Sequence, residues 1–285
     1  MSDLSLTISM ATHSDFDGVF FSVQSLRLHH KLPPNTEFLI LDNNPESDHG
    51  RQIKHLAKSI PEMRVVDVVD RTSSFIKYDA FHLAKGDVIL GLDCHVLLAP
   101  GFIDNLMEYW SWNPNSKNMV SGPLLYDNMV STSDLMRPVW NGHDFGVWGD
   151  NKEAVAKGDP YEVPMQGMGC FSFIRKNAPK ISDKFSGFGG EEWYMAEKTR
   201  QNGGVVVCLP QLKWNHRFDW PKRTFPLVLH DKIVNYYVAF LDLYGDLMHP
   251  ACVEMTQYWN AQVPTEDLGN AIREAMTRLN MPFTG

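Results

Sequence analysis

Residues 87–93 read DVILGLD, an almost wholly apolar run with an acid at each end. A strand with no polar face must be covered on both sides, as strands are in the parallel sheet of an α/β domain. The residues before it supply neighbours for such a sheet. Residues 4–10 alternate apolar and hydroxyl side chains, and residues 12–17 offer a turn and a helix cap. Val19, Phe20, Val23, Leu26 and Leu28 form a helical stripe that ends near the breaker HHKLPP. A second strand is expected over residues 37–41, closing at Asp42, and a third over residues 65–69, with a helix through Ile53, Leu56 and Ile60 between them. Residues 75–85 read as a helix leading into DVILGLD. Repeated β-α units predict an open, doubly wound sheet flanked by helices, with ligands collecting at the carboxyl ends of the strands. Asp42 and Asp93 stand at two of those ends.

Beyond the fourth strand the pattern loosens. Residues 111–163 are loop-rich, with Trp140 and Trp148 among many Gly, Asn and Asp. An apolar segment at residues 168–174, the turn FSGFGG, a helix at residues 191–201 and a strand at residues 204–209 follow. Residues 226–244 and 261–279 read as amphipathic helices, an appendage with no further β-α alternation. The expected division is residues 1–222 for the sheet domain and 223–285 for the helical extension packed on it.

With 34 acidic and 26 basic side chains the formal charge is −8, and no block of Lys and Arg interrupts it. A protein held to nucleic acid mainly by charge is therefore disfavoured. The four cysteines lie far apart with no CxxC pair, the pattern of reduced thiols rather than a disulfide scaffold or zinc ribbon. The start lacks a basic, apolar leader, and no stretch reaches the ~18 uninterrupted apolar residues of a membrane span. A cytoplasmic protein is expected.

Three groups of residues have chemical promise. Asp93 and His95 flank Cys94 directly after the buried strand, and in extended backbone residues two apart share a side and can converge on one ion. A capping Asp beside a surface His is the plainer alternative; the position at the ligand edge of the sheet favours the ion. His216, in KWNHRF, is a second candidate ligand. Two imidazoles and a carboxylate leave positions for phosphate oxygens and water, which suits octahedral Mn²⁺ or Mg²⁺. Zinc takes the same donors, although its hydrolase motif HExxH is absent. The third group is FSGFGGEEW, where glycines let backbone approach a ligand and Glu191 and Glu192 open a helix. One of these carboxylates can take a proton from an acceptor hydroxyl while the other orients hydroxyls. Gly167 and Gly169 permit similarly close packing against a sugar or diphosphate.

In order, these segments resemble the GT-A glycosyltransferases, in particular family 2 enzymes, the polypeptide N-acetylgalactosaminyltransferases and the β-1,4-galactosyltransferases. The resemblance spans residues 4–218. LTISMATHS looks like the first strand and its donor loop, which includes Thr12. EFLILDNNPES looks like the second strand, whose terminal acid, here Asp42, meets the nucleotide base or ribose. AKGDVILGLDCHVLLAPGFIDNLM resembles the segment carrying the DxD or DxH metal motif, which falls on Asp93 and His95. PMQGMGCFSFIRKNAPKISDKFSGFGGEEWYMAEKTRQNGG resembles the acceptor-side block that ends in GGE, and His216 falls where those families add a downstream His to the metal. The resemblance implies transfer of a sugar from a nucleotide diphosphate, a UDP-sugar foremost, with Mn²⁺ or Mg²⁺ bridging the diphosphate. Lys77 or Arg71 would add a cation nearby.

The chain departs from the pattern at Glu192, where inverting relatives place an Asp base and the retaining polypeptide transferases an Asn. Because a Glu can accept a proton, the expectation is inversion, with Glu192 as base and Glu191 orienting the acceptor; the DxH form points towards retention. No QxxRW signature of processive synthases is present, which favours transfer of one sugar. A nucleotidyltransferase is the nearest alternative, but ATHSDFDG lacks its basic loop; a metal-dependent hydrolase and a non-catalytic nucleotide-sugar or glycan binder are others. The acceptor is open among a glycan, a lipid-linked precursor, a protein side chain and a hydroxymethylated DNA base. Two or three of Trp110, Trp112, Trp140, Trp148, Trp193, Trp214 and Trp220 are expected in the cleft. Lys213, Arg217, Lys222 and Arg223 form a local basic group beside His216. Sequence leaves the oligomeric state open.

Overall fold

The structure is a computed structural model that describes residues 4–218 and 225–282. Strand β1 (Leu6–Thr12) leads through α1 (Phe16–His29) to β2 (Glu37–Asp42), then through α2 (Asp48–Ala57) to β3 (Met63–Asp67). A 3₁₀ segment (Ser74–Asp79) runs into the short α3 (Ala80–Leu83) and then β4 (Val88–Asp93). Asp15 caps α1 by accepting from the Gly18 amide, and Val19, Val23 and Leu26 form its buried stripe. After β4 come β5 (Val96–Leu98), α4 (Phe102–Trp112), β6 (Met119–Ser121), β7 (Leu124–Leu125) and β8 (Thr132–Ser133). The hairpin of β9 (Leu135–Asn141) and β10 (Asp144–Gly149) precedes α5 (Lys152–Lys157), β11 (Tyr161–Glu162) and β12 (Cys170–Ile174). The chain finishes with α6 (Glu191–Gln201), β13 (Val206–Cys208), β14 (Trp214–His216), α7 (Leu229–Tyr244), α8 (Pro250–Asn260) and α9 (Thr265–Arg278).

The main sheet runs β11-β13-β6-β12-β4-β1-β2-β3. β3, β2, β1 and β4 are parallel, as the β-α alternation requires, while β12 joins β4 antiparallel and makes the sheet mixed. The expected open α/β sheet with flanking helices is what the chain forms. Along β4, Val88, Leu90 and Leu92 enter the core on one face and Ile89 the core on the other. Each such fully buried side chain stabilises the fold by roughly 1.5–3 kcal/mol, so the strand's apolar run is spent on two cores at once. α7 shares the second of these cores: Val234, Tyr237 and Val238 are fully buried in the cluster that holds Ile89 and Phe171. The expected boundary between residues 222 and 223 lies outside the described residues.

Three expectations change in detail. The helix expected over residues 75–85 is a 3₁₀ segment followed by one turn of α-helix. Phe75, Tyr78 and Phe81 stand three residues apart and pack ring against ring, at 5.4 and 5.8 Å between centroids, and spacing of three is the one a 3₁₀ turn aligns. The loop-rich stretch 111–163 contains six strands and α5, hard to see because most are only two or three residues long. A third C-terminal helix, α8, occupies residues outside the two expected segments; Pro250 at its first turn and the His249 cap are its start signal.

Candidate active site

Parallel pairing brings the carboxyl ends of the strands level. Thr12 pairs with Asp42 across β1 and β2, and Ala11 pairs with Asp93 across β1 and β4. A cleft of about 360 Å³ opens above these ends. Thr12, Lys77, Asp93, His95, Gly167, Gly169, Glu192 and His216 line it and so meet in one place. Asp42 and Glu191 are not among the lining residues. Asp42 is fully buried, with Oδ1 accepting from the Asn44 amide at 2.9 Å, and its neighbour Asn43 takes the place on the wall.

His216 reaches the site through the small sheet β5-β14-β7-β8. β14 pairs antiparallel with β5, setting His216 opposite Val96 and hence beside His95. Asp93 Oδ2 lies 3.3 Å from His216 Nε2, the two imidazole centroids are 4.7 Å apart, and donor atoms of Asp93, His95 and His216 all fall within 4.8 Å of one another. Neighbouring ligands of a hard divalent cation with bonds of about 2.1 Å sit about 3 Å apart, so the pair Asp93–His216 already has the required spacing. The other Asp93 oxygen is taken by Lys77 Nζ at 3.1 Å, which also donates to the Met168 carbonyl at 3.3 Å. One carboxylate oxygen thus meets an ammonium and the other faces the imidazoles. This donor set fits a divalent cation.

The proton affinities agree. Burial raises that of Asp93, but the Lys77 charge, the His216 hydrogen bond and the two imidazoles outweigh it and hold the carboxyl well below the usual range. Burial lowers the pKa of His216 more than Asp93 raises it, leaving a neutral ring, the form that ligates. A second group, Asp15, Cys94 and His95, is also close together, but burial and Asp15 push the Cys94 thiol well above its ordinary value, so it stays protonated.

Glu192, which lines the same cleft, has the reverse setting. Burial and the neighbouring Glu191 carboxylate push its pKa up to about 8, against the pull of Lys77. The turn that presents it is pinned from both sides. Gly187 exchanges backbone hydrogen bonds with Thr72 and Ser74 at 2.7 and 2.8 Å, while buried Asn235 of α7 accepts from the Ser186 amide at 3.3 Å and donates to the Gly189 carbonyl at 3.2 Å. Gly190 caps α6 with φ 93°, a conformation that favours glycine.

Gly167 is covered by protein: a Cβ there would lie 2.5 Å from the Trp148 ring. Trp148 and Trp214 are the two singled-out tryptophans that line the cleft among the described residues. Trp110 is core, its Nε1 bonded to Ser172 Oγ, and Trp140 stacks on Tyr258. Trp220, Lys222 and Arg223 lie outside the described residues. Arg71 pairs with Asp79 at 2.6 Å and is absent from the lining, whereas Arg217 lines the cleft. Sequence reasoning missed Asn235, which no motif marks, and saw in Asp15 only the start of a helix.

No protein-family profile matches the chain, and no curated protein matches it by sequence. Solved structures do. The chain is similar to GalNAc-T7, determined with UDP, GalNAc and Mn²⁺, at a TM-score of 0.69 and 15% identity, over 98% of this chain and 55% of that one. It is also similar to the mannosyltransferase PcManGT of Pyrobaculum calidifontis, in complex with GDP-Man and Mn²⁺, at a TM-score of 0.55 and 15% identity, over 96% of this chain and 74% of that one. The chain thus spans about half the length of the GalNAc-T7 chain. Both neighbours are GT-A glycosyltransferases, and the likeness is one of architecture: the mixed sheet, its flanking helices and an Asp-x-His cluster at the strand ends give this chain the GT-A fold.

Proposed function

We propose that the chain is a metal-dependent glycosyltransferase that moves a single sugar from a nucleotide-diphosphate sugar, a UDP-sugar, to an acceptor hydroxyl. The observation that supports this most is the convergence of Asp93, His95 and His216 on one point, with Lys77 beside them and Glu192 lining the same cleft. A divalent cation, Mn²⁺ or Mg²⁺, would be held by these three side chains and would supply Lewis-acid stabilisation of the leaving diphosphate. Lys77 adds a fixed positive charge at the same edge. Thr12 and Asn43 border the recess for the nucleoside, and Asp42 shapes it from behind by holding the Asn44 turn. Gly167 and Gly169 make room for Trp148 on one side and for Trp214 and Asp93 on the other, at the edge where the sugar would lie.

Glu192 is the base. Its raised proton affinity makes the ionised form, which grows in as pH rises towards about 8, a stronger acceptor than an ordinary carboxylate, and Glu191, buried behind it, maintains that affinity by charge. A carboxylate base on the acceptor side favours inversion. Trp148, which is only partly buried, offers a ring to a glycan or an aromatic acceptor, while Trp214 is fully buried and forms the solid wall behind. Among the described residues no helix is long and apolar enough to cross a membrane.

A thermal-shift panel of nucleoside diphosphates and nucleotide sugars, with and without Mn²⁺, tests the reading. UDP or its sugar should stabilise the protein only with the ion, by about 2.7 kcal/mol at a hundredfold excess over Kd. No stabilisation by any nucleotide in the presence of Mn²⁺ would overturn it.

A further inference from the structure

Asp15 was legible only as a helix cap, yet its carboxylate is 5% exposed and lies against the candidate metal centre. Oδ1 accepts from the Gly18 amide at 3.0 Å, completing the cap of α1. Oδ2 lies 3.0 Å from His95 Nδ1 and 3.4 Å from Cys94 Sγ, and Arg217 reaches both oxygens at 3.3 Å. A carboxylate has only acceptors to offer, so Nδ1 must hold the imidazole's proton. That leaves the Nε2 lone pair as the donor for an ion.

Two further observations show the arrangement is built. Gly18 has no side chain where a Cβ would stand 2.3 Å from Asp15 Oδ2 and 2.9 Å from the Cys94 carbonyl. Buried Ser22, one turn further along α1, donates to the carbonyls of Cys94 and Val96, both at 2.9 Å, gripping the backbone on either side of His95. One end of α1 therefore fixes the turn and the ring of this ligand together.

We propose that Asp15 is the positioning residue of the metal site: its outer oxygen holds His95 in the Nδ1–H tautomer and aims Nε2 at the point shared with Asp93 and His216. The inference rests on reading those three residues as a divalent-cation site. Carboxylate support behind a ligating imidazole fixes tautomer and ring orientation, and losing it costs about 10–100-fold in metal affinity.

Asp15→Ser separates the two tasks of the side chain. Serine is a good helix cap, so the Gly18 bond persists, but it has no second oxygen for His95. Gly18→Ala is the complementary variant: alanine favours the helix while its Cβ displaces the carboxylate. Ring-nitrogen NMR of the histidine-labelled, metal-free protein should show His95 as the Nδ1–H tautomer in wild type and mainly Nε2–H in Asp15→Ser. Mn²⁺ titration followed by electron paramagnetic resonance should show a 10–100-fold weaker Kd in both variants, with the metal-free melting temperature of Asp15→Ser within a few degrees of wild type.

An Nε2–H tautomer in wild type would overturn the proposal without any variant. So would wild-type Mn²⁺ affinity in Asp15→Ser, or a lost affinity with an unchanged tautomer, since the latter would make Asp15 a ligand itself. Wild-type protein that fails to bind Mn²⁺ at all would instead remove the metal reading underneath.

Discussion

Asp93 and Glu192 line the same cleft, and the fold drives their proton affinities in opposite directions. Both are penalised by burial. Asp93 has an ammonium at 3.1 Å and two imidazoles to offset it, whereas Glu192 has a second carboxylate next to it in sequence. The difference lies in the neighbours. One acid is kept charged and able to hold a cation; the other keeps its proton up to about pH 8 and is a base once it has given that proton up. Such divergence within one site is how a single cleft can serve both binding and base catalysis.

Breaking the charged partner should have the largest effect. Asp93→Asn removes the anionic ligand and should lower kcat/KM by about 10³-fold or more, some 4 kcal/mol, together with measurable Mn²⁺ binding. Unchanged turnover in the presence of a chelator would sever Asp93 from catalysis. Glu192→Gln should follow, with kcat down about 10²–10⁴-fold while the nucleotide Kd stays the same. An unaltered kcat would move the base elsewhere.

Lys77→Met probes the balance on the Asp93 side. It leaves a half-buried carboxylate without its ammonium and should cost about 3 kcal/mol in the metal-free protein. Mn²⁺ should restore much of this in thermal melts, because the ion supplies the missing charge; equal losses with and without it would contradict the arrangement. The smallest effect concerns Glu192 and pH. A carboxyl raised from its unfolded value to about 8 is stabilising while protonated, and that contribution is lost as pH rises through about 8. Glu192→Gln should therefore melt like wild type at pH 4, then increasingly above it, by about 1–2 kcal/mol at pH 9 after screening by the open cleft. A constant difference across that range would mean the carboxyl is not perturbed.

Legibility followed sequence distance. The parallel half of the sheet could be read because each element shows its own period, and Asp93 could be read because an acid ending a doubly buried strand has few structural uses. Glu192 stood out through the glycines before it. The electrostatic contrast between the two acids could not be read: Lys77 meets Asp93 from a segment that looked like an ordinary helix, and its ammonium is spent on a carboxylate 16 residues away. Asn235 was equally silent, since a single amide inside an apolar helix of the C-terminal segment has no local partner to betray it. The short strands β5, β7, β8 and β14 escaped because two or three residues show no period. Asp42 and Glu191 were placed correctly along the chain yet point into the interior, a matter of side-chain direction that motif spacing does not resolve.

The distance between the candidate ligands along the chain also has a consequence for synthesis. His95 leaves the ribosome 121 residues before His216, and the two meet only when β14 closes on β5. A nascent chain that ends within β13 would own two donors and no third. High-affinity uptake of the ion would then mark the moment at which the small sheet is complete, and the ion, once seated, would act as a rivet between the end of β4 and β14.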